Sequence, residues 1–237
     1  MKKMIAIIPA RCGSKGLKDK NILNLAGKPL LAYSIEAAHS SNLFDTIHVS
    51  TDSKNYAQIA LKYGADVPFL RSAEYAGDGA STWYTVKEVL EKYKHIGKQY
   101  DLCVVLQPTS PLRTARDIQN AYKLFIDKEA DALTSVTETE HPIQWCFNLD
   151  NTCSMKNFAN SPYKNCRRQD LEKYYRENGA IYIFKTDMIF ADNFDFYSNN
   201  CIAYVMNRKN SIDIDTNVDF IIAETMLSLV ETENYDQ

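Results

Sequence analysis

The chain has 237 residues, of which 45% are apolar and 24% are charged, as is typical of a soluble globular protein. Its net charge of −3 at pH 7 lacks the positive excess of a general nucleic-acid-binding protein, so we expect no nucleic-acid partner. No apolar stretch is as long as a membrane span, and the short apolar start is interpreted as a first strand rather than a signal peptide. We therefore expect no membrane partner.

Apolar runs alternate with helical patterns along the chain. The runs predicted as strands are MIAIIPA, TIHVST, VPFL, DLCVVLQ, ALTSVTE, GAIYIF and CIAYVM. Helical periodicity is predicted from Pro29 to about Ser40, from Ala115 to about Asp127 and from Asn217 to about Val230. The alternation indicates an α/β fold with a mostly parallel sheet and helices on both faces. The strands then bring four loops to one edge, those after Ala10, Thr51, Leu106 and Met206.

The segment 138–178 interrupts this alternation because it is polar and aromatic, with little helix or strand periodicity. An irregular segment of this length inside one domain is usually functional or is ordered by a partner. Its large apolar side chains, among them Trp145, Phe147 and Met155, are expected to pack on another subunit or over the site. Residues 1–237 are therefore predicted to form one domain that carries 138–178 as an arm.

Six cysteines are scattered along the chain without a C-x-x-C pair, and the four histidines do not fall at metal-ligand spacing with them. In a chain of this length without a signal peptide, such cysteines are predicted to be reduced thiols. The pattern therefore favours a cytoplasmic protein without zinc.

A basic, glycine-bearing loop follows the first strand, in the stretch IIPARCGSKGLKDKNI at residues 7–22. Glycines let the backbone bring its N–H groups close to an anion. Cationic and neutral donors are supplied by Arg11, Ser14, Lys15, Lys20 and Asn21. The spacing matches neither the P-loop nor the dinucleotide fingerprint. Two interpretations of the loop alone stay open, a phosphate-binding site and a solvated basic loop.

Paired carboxylates lie near the carboxyl terminus, in the stretch NSIDIDTNVDF. In extended backbone Asp213 and Asp215 point to the same side, so both can bind one Mg²⁺ ion that takes its other ligands from a nucleotide. Asp219 is expected to support the first turn of the next helix. A second interpretation, that Asp215 or Thr216 only caps this helix, stays open. Together with the basic loop, the pair predicts a site for attack at the phosphorus of a nucleoside triphosphate.

Six stretches carry a family resemblance: IIPARCGSKGLKDKNI, VSTD, FLRSAEYAGDGAS, LQPTSPLR, NGAIYI and SIDIDT. In this order and at these separations, the chain resembles N-acylneuraminate cytidylyltransferases over essentially its whole length. The resemblance implies a Rossmann-like nucleotidyltransferase fold and a homodimer with an extended dimerisation arm. It also implies a reaction in which CTP and a nine-carbon 2-keto sugar acid, a nonulosonic acid, give a CMP-sugar and pyrophosphate with Mg²⁺.

The resemblance also implies roles for individual residues. The nucleotide ligands would be Arg11, Ser14, Lys15, Asn21, Arg71 and Thr82. The residues near the sugar acid would be Gln107 and Tyr182, with Arg168 and Gln169 of the arm reaching over the neighbouring subunit's site. The catalytic set would be Lys20, Asp213 and Asp215, with the two aspartates holding the magnesium.

Three departures from the family pattern concern the sugar rather than the triphosphate. Glu177 stands where many members have proline, Gln144 and Trp145 occupy positions after the HP of the arm where a basic residue is common, and Gly79 replaces a threonine. The acid is therefore open between sialic, legionaminic, pseudaminic and deaminated neuraminic acids. A 3-deoxy-octulosonate cytidylyltransferase, a sugar-1-phosphate nucleotidyltransferase and a catalytically silent nucleotide sensor are the alternatives.

Overall fold

A six-stranded mixed sheet forms the centre of the protein in the computed structural model, which describes residues 2–13, 16–77, 81–198 and 200–235. The predicted ligands Ser14 and Lys15, and Gly79, lie outside these ranges. The strands are Met4–Pro9 (β1), Asn24–Leu25 (β2), Lys28–Pro29 (β3), Thr46–Ser50 (β4), Leu102–Val105 (β5), Ala132–Glu138 (β6), Tyr175–Lys185 (β7) and Cys201–Val205 (β8). The main sheet has the order β4-β1-β5-β7-β6-β8, and β2 pairs with β3 in a separate hairpin.

The predicted α/β sheet is confirmed, with one strand reversed. Strand β1 lies parallel to β4 and β5, and β6 lies parallel to β8. Strand β7 is antiparallel to both of its neighbours, β5 and β6. The amino-terminal end of β7 therefore lies at the same edge as the carboxyl end of β5, and adds a group of residues to that edge.

Helices cover both faces of the sheet, as predicted. They are Leu30–Ser41 (α1), Lys54–Lys62 (α2), Thr82–His95 (α3), Ala115–Asp127 (α4), Lys156–Ala159 (α5) and Asn217–Tyr235 (α6). Along β1, Ala6 and Ile8 are buried with α1 and α4, while Ile5 and Ile7 are buried with α3. This alternation is that of a strand covered on both faces. Helices α2 and α3 were not predicted, although serines at their N-caps signal both starts.

The predicted strand VPFL, at 67–70, is wrong. Asp66 makes one bridge to β4, with its N–H donating to Ile47 O at 2.7 Å and its carbonyl accepting from Val49 N at 3.2 Å. Pro68 follows and has no N–H to donate to a ladder. The apolar side chains of this stretch pack on the core without forming a strand.

The predicted arm lies between β6 and β7, and strands occupy both of its ends. Glu138 is the last residue of β6 and pairs with Tyr175, the first residue of β7. The first three residues of β7 are exposed and polar or amphipathic, so their strand has no apolar periodicity by which it could be recognised. Between the strands the arm contains only short helical turns and the four-residue α5.

Two general expectations concern cysteines and membranes. All six cysteines are free in the structure. Within the described ranges, no helix combines the length and apolar character required to cross a bilayer.

Candidate functional site

A cleft of about 450 Å³ opens at the edge of the sheet where β1 and β5 end. Residues that line it were predicted from four separate stretches of sequence: Arg11, Lys20, Asn21, Arg71, Thr82, Gln107 and Asp215. Gly16, a glycine of the basic loop, also lines the cleft, as do residues that were not predicted: Pro9, Thr85, Pro108 and Thr109. The structure therefore brings these predicted groups into one cavity.

The basic loop and the acidic segment are in direct contact. Lys20 Nζ donates to Ile214 O at 2.6 Å and to Asp215 Oδ1 at 3.0 Å. Gly16 lies so close to this segment that a Cβ there would be 2.7 Å from Asp215 O. Only glycine permits this approach without a shift of the backbone.

The acidic segment lies outside the helices and strands, and its residues differ in burial. Ile214 is fully buried in a cluster on which Ile212 packs, whereas Asp213 is half-buried and Asp215 is exposed. Burial, followed by the neighbouring Asp215 carboxylate, raises the pKa of Asp213 despite a hydrogen bond from Thr109. Among the described residues, Asp213 Oδ1 is buried without a hydrogen-bond partner. A buried carboxylate oxygen that lacks a donor fits a cation ligand.

The cap of helix α6 is formed by residues other than the Asp215 carboxylate. Thr216 Oγ1 accepts from Asp219 N at 3.3 Å, and Asp219 Oδ2 accepts from Thr216 N at 2.8 Å. Asp219 Oδ2 also accepts from Asp215 N at 3.2 Å, so Asp219 supports the first turn as predicted. The Asp215 side chain is 74% exposed and directed to Lys20. The capping interpretation therefore holds for Thr216 and leaves the carboxylate of Asp215 for the cleft.

Two arginines, Arg11 and Arg71, line the cleft and add positive charge to it. Arg71 is buried and makes two hydrogen bonds to Ser50. Its Nε donates to Ser50 Oγ at 3.1 Å, and its Nη2 donates to Ser50 O at 2.8 Å. Burial lowers the pKa of Arg71 to about 10, so it remains a cation near neutral pH. Arg11 Nη1 donates to Gly13 O at 3.2 Å. Asn21 Nδ2 donates to Arg11 O at 3.0 Å, so its buried amide supports the loop backbone.

Gln107 lies two residues beyond the end of β5, and a buried arginine fixes its backbone. Its carbonyl accepts from Ser34 Oγ and from Arg113 Nη1, each at 3.2 Å. Arg113 Nη1 also donates to Ala180 O at 3.0 Å, and Arg113 Nη2 donates to Ser34 Oγ at 2.7 Å. Arg113 therefore ties β5 and β7 to α1 behind the cleft, and its role is structural.

A smaller cavity of about 140 Å³ adjoins the main cleft. The two share Thr82 and Gln107, and the smaller cavity is lined further by Ser81, Trp83, Tyr182 and Tyr197. Burial raises the pKa of Tyr182 to about 12, so its phenol stays protonated near neutral pH. Trp83 and Tyr197 were not predicted, although Trp83 follows the predicted Thr82 directly.

Glu177, one of the departures from the family pattern, lies beside this smaller cavity. Its Oε1 accepts from Tyr197 Oη at 2.7 Å and from Thr134 Oγ1 at 2.8 Å. A proline at this position could make neither bond. Glu177 therefore connects strands β6 and β7 to the tyrosine that lines the cavity.

The predicted arm residues Arg168 and Gln169 are exposed. Arg168 lines a surface cavity near Glu138 and Arg208, at the far side of β6. In the part of the chain that the structure describes, neither residue lines the main cleft of its own subunit.

A parallel sheet edge with a cationic loop opposite paired carboxylates defines a nucleotidyltransferase-like architecture. The family model for cytidylyltransferases matches residues 5–234, and the chain belongs to this family of nucleotidyltransferases. Its fold is similar to that of a CMP:2-keto-3-deoxy-manno-octonic acid synthetase complexed with CTP. That likeness has a TM-score of 0.69 at 17% identity and covers 96% of this chain and 99% of the other.

The chain is similar in sequence to three proteins whose names describe related activities. An N-acylneuraminate cytidylyltransferase of Escherichia coli O18:K1:H7 is 40% identical over 94% of this chain, which spans 52% of that protein. A pseudaminic acid cytidylyltransferase of Campylobacter jejuni is 37% identical over 94% of this chain and 96% of its own. A CMP-N,N'-diacetyllegionaminic acid synthase of Legionella pneumophila is 37% identical over 96% of this chain and 97% of its own.

Gly179, inside β7, has a positive φ of 68° and lies against the site: a Cβ there would be 3.2 Å from Gln107 Oε1. Gly97 has a similar φ of 80°, and no described atom lies within 4 Å of its added Cβ. We expect both alanine substitutions to lower the free energy of unfolding by about 1–2 kcal/mol through backbone strain. Only Gly179→Ala should also lower cytidylyltransfer, by about tenfold, because it displaces Gln107. Equal turnover of the two variants would contradict a role for Gln107 at the site.

Proposed function

We propose that this chain activates a nine-carbon 2-keto sugar acid, sialic acid or one of its relatives, with CTP to give a CMP-sugar and pyrophosphate. The observation that carries the proposal is the contact of Lys20 with the Asp215 carboxylate, at 3.0 Å, in a cleft that also contains Arg11 and Arg71. Cations on one wall and carboxylates on the other are the groups that a metal-bound triphosphate requires. The names of the three relatives support CTP and a sugar acid as substrates.

Some of the cleft residues would bind the triphosphate, and others would orient the sugar acid. Lys20, Arg11 and Arg71 would offset the negative charge of the triphosphate and hold its α-phosphorus within reach of the acid. Gln107, which lines both cavities, and Tyr182, which lines the smaller one, would orient the sugar acid through an amide and a protonated phenol. The hydroxyl at C2 of the acid would lose its proton to solvent and attack the α-phosphorus, the bond from that phosphorus to its bridging oxygen would break, and pyrophosphate would leave.

Asp213 and Asp215 would hold Mg²⁺. The buried Asp213 oxygen without a donor among the described residues, beside a second carboxylate, fits a hard cation. When bound, Mg²⁺ supplies positive charge that stabilises the reacting phosphate oxygens. The same two residues, without the ion, would repel a triphosphate, so the pair is expected to require it.

The identity of the acid stays open among sialic, legionaminic, pseudaminic and deaminated neuraminic acids. The relatives named for three of these acids differ little in identity to this chain, from 37% to 40%. The likeness to the octonic acid synthetase concerns the fold alone. Free cysteines throughout the chain support a reducing compartment, and we propose the cytoplasm as its location.

We expect purified protein with CTP and Mg²⁺ to release pyrophosphate in the presence of at least one acid from a panel of these four. UTP, ATP and GTP should support the reaction at least about tenfold less well. A site whose hydrogen-bonding groups match cytosine leaves polar atoms of the other bases unpaired. A coupled pyrophosphate assay measures both. Failure with every acid would end the proposal, and calorimetric CTP binding without turnover would favour the silent sensor. 3-Deoxy-octulosonate and sugar 1-phosphates test the other two alternatives.

We expect Asp215→Asn to lower kcat by about 10²-fold or more, because the neutral amide lacks the negative charge by which the carboxylate would hold Mg²⁺. Asp219→Asn is the matched control: it alters a carboxylate four residues away that serves the helix cap. That variant should lose about 1 kcal/mol of stability and keep its turnover. If the two variants have the same kcat, Asp215 has no part in the mechanism.

We also propose that the arm pairs two copies of the chain, so that Arg168 and Gln169 approach the partner's sugar site. Its large side chains support this, since Phe147 is 39%, Met155 50% and Tyr163 44% exposed. An Arg guanidinium is shaped to bind a substrate carboxylate.

Sedimentation velocity should show a dimer for the wild type and a monomer for Met155→Asp, because a charge would be buried in the interface. Leu61→Asp, at a residue 55% exposed on α2, should remain dimeric. A monomeric wild type, or a dimer that survives Met155→Asp, would remove the arm from the proposed interface.

A further inference from the structure

Asp52, the last residue of the VSTD stretch, has no part in the function proposed above, yet it holds the basic loop. It follows β4, which lies parallel to β1, and Ala10 N donates to Ser50 O at 2.9 Å across the two strand ends. Asp52 Oδ1 accepts from Cys12 N and Oδ2 accepts from the Cys12 thiol, each at 2.9 Å. One carboxylate thus binds both the backbone and the side chain of the second residue of the loop.

The far end of the loop is held by the same region. Tyr56, in the first turn of α2, donates its hydroxyl to Asp19 Oδ1 at 3.0 Å. Asp19 has a φ of 54°, in the left-handed region, and it directly precedes Lys20. The segment from Asp52 to Tyr56 therefore holds the loop at two points, next to Arg11 at its entry and next to Lys20 at its exit.

The negative charge of Asp52 is unfavourable beside an anion site. Its effect on anion binding through charge is therefore opposite to its effect through holding the loop. Burial alone would raise the pKa of Asp52, but hydrogen bonds from the Cys12 thiol and N–H outweigh it and leave that pKa below its ordinary value. Asp52 is therefore a carboxylate at neutral pH, close enough to Arg71 to attract it. By charge alone its removal should tighten the binding of a triphosphate, whereas by position its removal should weaken it.

We propose that Asp52 is a positioning residue for the nucleotide: it holds Cys12 and thereby the loop that presents Arg11 and Gly16 to a triphosphate. The inference rests on the proposed function, because it takes CTP as the ligand of the cleft. Asp52 acts through Cys12 and is assigned no contact with the substrate.

The test compares variants in which charge and geometry change separately. Asp52→Ala removes the charge and both acceptors, whereas Asp52→Asn removes the same charge and retains a carbonyl acceptor for Cys12 N. Cys12→Ser retains a donor to Asp52. Asp192→Asn, at an exposed aspartate outside both cavities, is the control for loss of one negative charge.

We expect Asp52→Ala to weaken Mg–CTP binding by about tenfold or more in calorimetry, the scale of a charge-assisted hydrogen bond lost. The KM for CTP should rise by the same factor, while the KM for the acid changes less than about twofold. Asp52→Asn should lie between Asp52→Ala and the wild type, and Cys12→Ser should bind CTP as the wild type does. Thermal unfolding of each variant reports whether the fold is retained.

The inference is overturned if Asp52→Ala binds CTP as tightly as Asp192→Asn or more tightly. It is also overturned if the KM values for CTP and for the acid rise together, which indicates a general loss of structure; if Asp52→Ala does not fold, Asp52→Asn provides the same comparison. Failure of the proposed function is a separate result, since wild type that binds CTP but releases no pyrophosphate with any acid still allows the calorimetric comparison. Wild type that does not bind CTP overturns both.

Discussion

The cleft depends on a contact between segments 194 residues apart in the chain, in which the buried Ile214 brings the acidic segment to Lys20. Its ion pair contributes little to stability, since the Asp215 side chain is 74% exposed and such pairs are worth about 0–1 kcal/mol. Apolar burial does the structural work: Ile214 is fully buried, and Ile214 N donates to Thr109 O at 2.8 Å. Burial of Ile214 thus positions the acidic segment, and the ammonium group of Lys20 binds the segment in that position.

The buried arginines divide between support and chemistry according to their partners. Arg113 is buried and donates to the carbonyl oxygens of Gln107, after β5, and of Ala180 in β7, so its hydrogen bonds are made within the scaffold. Arg71 binds Ser50 at the end of β4 and lies at the cleft wall. A buried cation without a directly bound carboxylate is costly unless hydrogen bonds or a ligand compensate. In Arg71 this cost is consistent with a cleft that receives an anion.

The two cavities differ in the side chains that line them. The larger cleft is lined by the polar and cationic groups that any triphosphate needs. The smaller one is walled by Trp83, Tyr182 and Tyr197, and Glu177 holds Tyr197 in place. Three relatives of nearly equal identity carry names that differ in the sugar acid, while the cytidylyl group is common to them. In the function proposed above, the larger cleft would take CTP and the smaller cavity would take part of the acid.

The sequence by itself determined the α/β class, the helices α1, α4 and α6, and the family, because apolar periodicity and ordered motifs are local properties. It also indicated the basic loop and the paired aspartates, whose residue types already limit their ligands. It did not show that β7 runs antiparallel, that VPFL is not a strand, or that Asp52 and Tyr56 hold the loop. Strand direction and hydrogen bonds between distant segments depend on which surfaces meet in three dimensions, so only the tertiary structure decided them.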